Sequence, residues 1–147
     1  MQTTLILLKP DTVERGLIGQ VISRLENKGL TLVGLKMMQL DDAIINEHYD
    51  FLADKPFFPS IQSYMKRTPV VAMAVRGKNA VTTVRSLTGA TNPSEALPGS
   101  IRGDFGLTID GNIIHASDSE ETAKTELNRF FGGKDIFDYT KMIEEIL

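Results

Sequence analysis

Leu5-Ile6-Leu7-Leu8-Lys9-Pro10-Asp11 decides how the rest of the chain is read. A short unbroken apolar run closed by Pro10-Asp11 is the pattern of a strand buried in the centre of a sheet. Lys9 stands at the C-terminal end of that strand, where open α/β sheets place their ligand contacts. Val70-Val71-Ala72-Met73-Ala74-Val75 has the same character and reads as another strand that is apolar on both faces. Between the two, Leu17, Ile18, Val21, Ile22 and Leu25 fall on one helical face, with Gly29 as the stop. Leu30 to Leu40 reads as a further strand. Asp41 or Asp42 then caps a helix that carries Ile44, Ile45, His48, Tyr49 and Leu52. Lys55-Pro56-Phe57-Phe58-Pro59 breaks it, and another helix runs from Ser60 to Lys66-Arg67 before Thr68-Pro69.

Beyond the Val70 strand, Asn79 is expected to cap a helix through Val81, Val84 and Leu87 that Gly89 ends. From Gly89 to Gly111 the periodicity dissolves, and a long irregular stretch inside a compact domain is often functional. Asp110-Gly111 turns the chain into a strand over Asn112 to His115. Ser117-x-x-Glu120 and Asp118-x-x-Glu121 both fit a capping box. They open a helix from Ser119, with Ala123, Leu127, Phe130 and Phe131 inward and Gly132-Gly133 as its end. The tail from Asp138 to Leu147 reads as irregular or as one last short helix. The predicted order is β-α-β, an inserted helical pair, β-α-β and a closing helix. That order is the α/β (α+β sandwich) class in its ferredoxin-like βαββαβ form, an antiparallel sheet with helices on one face. With no repeat or linker, residues 1–147 read as one domain.

The composition narrows the function. The chain has 147 residues, with 41% hydrophobic and 24% charged, the proportions of a globular domain. A net charge of −3 gives no bulk electrostatic case for nucleic acid or an acidic membrane. The absence of cysteine removes thiolate nucleophiles and thiolate metal sites, and two histidines do not make a typical zinc site unaided. The N-terminal apolar run is far shorter than a secretory or membrane-spanning segment, so a cytoplasmic protein is the expectation.

His115 lies on the lip between a strand and a helix start. Roughly three-quarters of a free imidazole is neutral at pH 7, and its unprotonated nitrogen can attack phosphorus. Glu126, seven residues along the helix from Ser119, shares a stripe with Ser119 and Thr122 that faces back to the helix start. There it could accept the other ring N–H, or it could instead be a surface carboxylate near Arg129. Phosphoryl transfer requires cations around the phosphates, and Lys9, Arg85 and Arg102 are the candidates, with Thr91 as a hydroxyl donor. Walker A and G-x-G-x-x-G patterns are absent. Phe57, beside a proline in a helix break, is placed to stack on a base, while Phe58 reads as a core anchor. Tyr49 offers a hydroxyl to the site or to the core, and His48 is assigned to packing.

These residues resemble a known family. Asn112-Ile-Ile-His-Ala-Ser-Asp-Ser119 looks like the N-x-x-H-G-S-D signature of nucleoside diphosphate kinases. The likeness extends through Leu8-Lys9-Pro10-Asp11, Arg15-Gly16-Leu17, Glu47-His48-Tyr49, Lys55-Pro56-Phe57-Phe58, Gly89-Ala90-Thr91-Asn92-Pro93 and Ile101-Arg102-Gly103-Asp104-Phe105. The resemblance implies a ping-pong enzyme that moves the γ-phosphate of a nucleoside triphosphate to a nucleoside diphosphate. His115 would become the phosphohistidine, with Glu126 orienting it and Ser117 and Tyr49 as supporting hydroxyls. Lys9, Arg85, Thr91 and Arg102 would contact phosphates, Asn112 and Lys9 the sugar side, and Phe57 the base. Mg²⁺ would arrive on the nucleotide phosphates rather than in a protein cage. The family also implies a homo-oligomer, with a homohexamer expected and a homotetramer as the alternative. Ala116 stands where the family usually has glycine, and is expected to be harmless provided its backbone is extended. A phosphohistidine carrier, the rival reading, would have no use for Phe57, Thr91 and the cation set.

Overall fold

A computed structural model describes residues 1–147. In chain order the elements are β1 (Gln2–Leu8), α1 (Pro10–Glu14), α2 (Ile18–Asn27), β2 (Thr31–Met38), α3 (Asp42–His48), α4 (Phe58–Met65), β3 (Val70–Gly77), α5 (Ala80–Thr88), α6 (Ile101–Phe105), β4 (Ile114–Ala116) and α7 (Glu120–Phe131). The four strands lie in the order β2-β3-β1-β4, every neighbouring pair antiparallel. This is the expected ferredoxin-like arrangement, with α3 and α4 as the inserted pair.

One feature differs from expectation: helices cover both faces of the sheet. Ile6, Leu8, Val71, Met73 and Val75 pack with Val21 and Leu25 of α2 and with Ala80 and Val84 of α5. Leu5, Leu7, Val70, Ala72 and Ala74 pack on the other face with Ile45, Phe58, Met65, Phe130 and Phe131 of α3, α4 and α7. The cause is visible in β1 and β3. Side chains alternate between faces along a strand, and here both alternating sets are apolar, so both sides need a cover.

The caps refine several boundaries. Asp41 caps α3 by accepting from Ile44 N at 3.0 Å. Asn79 does not cap α5. Its backbone is left-handed (φ 51°) rather than extended as at a usual cap, its side chain makes no cap bond, and the Gln2 side chain takes the Val81 N–H instead. Helix α7 is capped by Ser119, which accepts from Thr122 N at 3.0 Å. The predicted boxes at Ser117 and Asp118 do not form, because Ser117 is committed to the interior. Helix α4 starts at Phe58, with Pro59 in the first turn, where its missing N–H is harmless. The irregular Gly89–Gly111 stretch contains one turn at Pro93–Glu95 and the short α6, capped by Ser100. Helix α1, unforeseen, begins on Pro10 directly after β1. The tail is mostly irregular, runs along the free edge of β2 through Phe137 N to Val33 O at 2.8 Å, and ends in one turn at Met142–Glu145.

Two adjoining clefts open at the end of the sheet where β1 finishes, between α3, α4 and the 89–112 segment. Replacing Ser119 by alanine is expected to lower the unfolding free energy by about 1 kcal/mol in urea titrations. Asp118→Ala should change it by less than about 0.5 kcal/mol, since Asp118 is exposed and caps nothing.

Candidate active site

His115 sits on the edge strand β4, paired with Leu7 of β1, with a quarter of its side chain exposed. Its Nε2 lies 2.8 Å from Glu126 Oε2, while Glu126 Oε1 accepts from Ser117 Oγ at 2.6 Å. A carboxylate can only accept, so this contact requires the proton on Nε2 and leaves the lone pair on Nδ1. Nδ1 has no hydrogen-bond partner in the chain, and the ring borders a cleft of about 500 Å³. Burial alone would raise the Glu126 carboxyl. The hydrogen bond and charge of His115, then Ser117 and His48, outweigh it and hold Glu126 below its ordinary value.

The predicted cations converge on the same cleft. Lys9 Nζ donates to Asn112 Oδ1 at 2.8 Å, and Asn112 Nδ2 donates to Thr91 O at 3.1 Å. Burial, followed by the charge of Arg102, lowers Lys9 to about 8 against a smaller opposing pull from Asp11. Arg102 is itself buried, and its guanidinium donates to the carbonyls of Asn112 (3.1 Å), Gly89 (3.1 Å) and Ile114 (2.5 Å). Burial and the neighbouring Arg85 bring it down to about 10. Arg102 is therefore a structural clamp as well as a cation. Arg85, exposed, reaches Ala116 O at 3.3 Å. Thr91 lines the cleft, and its hydroxyl makes no bond within the chain.

Phe57 borders the second cleft of about 680 Å³, with Ile61, Tyr64 and Ile109. The two clefts share Lys9, Tyr49, Thr91 and Asn112, so the aromatic platform and the histidine are ends of one groove. Half of the Phe57 side chain is exposed, whereas Phe58 is in the core, as the sequence suggested. The Tyr49 ring lines the groove, but its hydroxyl turns to Met65 Sδ at 3.8 Å. Burial first, then Glu126, pushes that phenol up to about 12. Tyr49 thus supports through its ring edge, 4.7 Å from the His48 ring.

Two residues of this cluster were missed. His48, read from sequence as packing, stands edge-on to His115 at 4.6 Å. Burial, then the charge of His115, lowers His48 to about 3, so it is neutral and accepts from Arg129 Nη1 at 2.9 Å. Its 3.4 Å approach to Glu126 is therefore not an ion pair. His48, His115 and Glu126 have metal-ligand spacing, yet the Arg129 guanidinium occupies the His48 lone pair that a metal would require. Only the Glu47-His48-Tyr49 motif pointed to this corner, and the helical spacing marked Arg129 as a neighbour of Glu126 rather than as the partner of His48.

The residue standing in for glycine is unproblematic. Ala116 lies in β4 opposite Ile6 and has no positive φ. The left-handed residue is Ile113 (φ 75°), two before the histidine, with its side chain fully buried. A β-branched residue there costs about 1–3 kcal/mol and persists only where its surroundings hold it. Arg102, bonded to the carbonyls on either side of Ile113, is part of that hold.

The chain is similar to known proteins in both sequence and fold. A family profile described as nucleoside diphosphate kinase matches residues 2–136. The chain is 48% identical over 145 residues to the nucleoside diphosphate kinase of Roseiflexus castenholzii, covering 99% of this chain and 97% of that one. It is 48% identical to that of Archaeoglobus fulgidus, covering 99% and 96%. Among solved structures it is similar to the nucleoside diphosphate kinase of Halobacterium salinarum in complex with CDP, with TM-score 0.95, 41% identity and coverage of 99% and 97%. The one from Encephalitozoon cuniculi gives TM-score 0.94 and 38% identity, with 99% of both chains covered.

The buried cluster sets an acid limit on stability. His48 is neutral in the fold down to about pH 3, whereas the unfolded chain protonates it near pH 6.5. The unfolded state therefore binds more protons as pH falls through that window, and stability drops. Glu126 acts in the same direction, since the stability from its depressed value is lost as pH falls through that value. Guanidinium titrations should show a loss of about 2–3 kcal/mol between pH 6.5 and 4.5 from His48. His48→Gln should flatten that slope.

Proposed function

The chain belongs to the nucleoside diphosphate kinase family and is a phosphotransferase of that kind; we propose that its reaction runs by a ping-pong route through His115. The observation that carries this reading is the 2.8 Å contact of Nε2 with Glu126, which leaves the Nδ1 lone pair facing a cleft walled by Lys9, Arg85 and Arg102. Nδ1 attacks the γ-phosphorus of a nucleoside triphosphate, a P–N bond forms, and the bond to the bridging oxygen breaks. The departing diphosphate carries the electron pair away. The ring gains positive charge as the bond forms, and the Glu126 carboxylate, held by Ser117, stabilises it. A second nucleoside diphosphate then attacks the phosphohistidine in the reverse sense.

The supporting roles follow from position. Lys9, Arg85, Arg102 and the Thr91 hydroxyl take up charge on the phosphates, Asn112 and Lys9 face the sugar, and Phe57 stacks on the base. A stacking face reads no base edge, which suits transfer among GDP, CDP, UDP and deoxynucleotides. Asp50, Asp118 and Glu121 lie along the phosphate cleft, but no cluster of carboxylates closes into a cage. That donor set fits Mg²⁺ carried in on the phosphates, where Asp118 would be the residue to hold it and the ion would neutralise phosphate charge. No helix is long and apolar enough to cross a membrane. A cytoplasmic, single-domain enzyme over residues 1–147 is part of the same reading.

Assembly as a homohexamer is also proposed. Leu35 and Met37 are exposed on the edge strand β2, and Leu97, Leu107 and Ile109 are exposed in the 89–112 segment. Two separate apolar regions suit an assembly with more than one kind of contact. Light scattering should give six copies, and four would replace the hexamer by the tetramer.

Incubation with γ-labelled ATP should label the chain at an acid-labile, base-stable position, and adding GDP should move the label to GTP. His115→Ala should take no label and lose exchange by several orders of magnitude. Undiminished exchange by that variant would overturn the mechanism, and labelling without transfer to any nucleoside diphosphate would favour a carrier. Glu126→Gln should lower kcat about ten- to hundred-fold, the equivalent of about 1.5–3 kcal/mol for a hydrogen bond to a charged group.

A further inference from the structure

Ile113 is held in its left-handed conformation by more than Arg102, and the additional contacts lead out of the phosphate cleft. Ile113 O accepts from Lys9 N at 2.9 Å and from Thr12 Oγ1 at 2.5 Å. Ile113 N donates to Asp11 Oδ2 at 3.0 Å. The other carboxylate oxygen, Asp11 Oδ1, accepts the hydroxyl hydrogen of Tyr64, and the Asp11 backbone N–H donates back to that hydroxyl at 3.3 Å. Burial first, and then the Asp11 carboxylate, raise the Tyr64 phenol above its ordinary range, so it remains a donor.

We propose that Tyr64 is a positioning residue for His115, acting through Asp11 on the backbone of Ile113. The inference rests on the reading of His115 as the phosphoryl acceptor. Asp11 touches neither His115 nor the cleft wall beside it, and Tyr64 lies on α4, the helix whose start carries Phe57. The link therefore runs from the helix bearing the base platform, through one carboxylate, to the strained residue two positions before the nucleophile. A strained backbone persists only where its surroundings over-determine it. Here one side of the constraint is the Arg102 guanidinium and the other is this carboxylate. Without the Tyr64 hydroxyl, half of the Asp11 carboxylate loses its partner and can rotate off the Ile113 N–H. The segment before His115 can then relax, and Nδ1 shifts relative to a phosphate bound by residues on other elements. Displacements of about 1 Å at such a centre cost on the order of a hundred-fold in rate.

The test uses the full-length enzyme, ATP and dTDP, with kcat and KM measured separately for Tyr64→Phe, Asp11→Ala, Asp11→Asn and the double variant Tyr64→Phe/Asp11→Ala. Tyr64→Phe keeps the ring that lines the base side of the groove. It should lower kcat about ten-fold with KM within about two-fold, a loss comparable to one ordinary hydrogen bond. Asp11→Asn should recover most of what Asp11→Ala loses, because its amide oxygen still accepts from Ile113 and its NH₂ can donate to Tyr64. The double variant should be no slower than Asp11→Ala alone, since both changes break the same chain. Tyr64→Phe with kcat within two-fold of the parent, a loss confined to KM, or simple multiplication of the two single effects would overturn the inference. If Asp11→Ala does not fold, Tyr64→Phe and Asp11→Asn carry the test, and the inference then requires the first to be slow and the second close to the parent. His115→Ala, run alongside, separates the two levels: an active His115→Ala removes the reading of His115, whereas an inactive one beside a fully active Tyr64→Phe removes only the relay.

Discussion

The hydrogen bond between His115 Nε2 and the Glu126 carboxylate, at 2.8 Å, is the contact around which the site is built. It selects the tautomer, and in doing so chooses which nitrogen faces the groove. A carboxylate as buried as Glu126 survives ionised only with several partners. The chain supplies two hydrogen bonds, from His115 on β4 and from Ser117 in the turn after it, and Arg129 on α7 stands close behind, bonded to the neutral His48 at the end of α3. Helix α7 is in turn fastened to the sheet by Phe130 and Phe131. The geometry of one imidazole thus depends on the packing of a whole face of the sheet.

The same site concentrates features that a fold optimised for stability would avoid. Arg102 lowers the proton affinity of Lys9 and Arg85 that of Arg102, Ile113 is left-handed, and His48 is kept neutral against solvent. Each has a functional counterpart. Repelling cations in a partly dry cleft are relieved when a polyphosphate enters, so their mutual cost in the free enzyme becomes binding and transition-state stabilisation. The strained backbone presents His115 at a fixed height above the groove, and the neutral His48 packs against it without competing for Glu126 as a cation.

Much of this was legible in the sequence, for identifiable reasons. Both alternating sets of side chains in Leu5–Leu8 and Val70–Val75 are apolar, which marks central strands. Their consequence is helices on both faces, which the order of elements alone does not distinguish from a one-sided sandwich. The groove residues lie at ends of elements, where lone cations and a proline-flanked aromatic stand out. What remained hidden was contact between distant segments. No periodicity shows that Gln2 caps α5 in place of Asn79, that Arg129 reaches His48, or that Asp11 holds Ile113. Nor does the sequence mark the left-handed residue, since isoleucine is among the residues least expected there, whereas Ala116, at the position usually held by glycine, is extended.

The central claim is that Glu126 commits Nε2 and frees Nδ1 for phosphorus. It is tested most directly by nuclear magnetic resonance of the phosphorylated enzyme labelled with ¹⁵N in histidine, which assigns the phosphorylated nitrogen through its coupling to ³¹P. The account predicts a single phosphorylated residue, His115, with phosphorus on Nδ1 and the proton retained on Nε2. Phosphorus on Nε2, or on any residue other than His115, would contradict it.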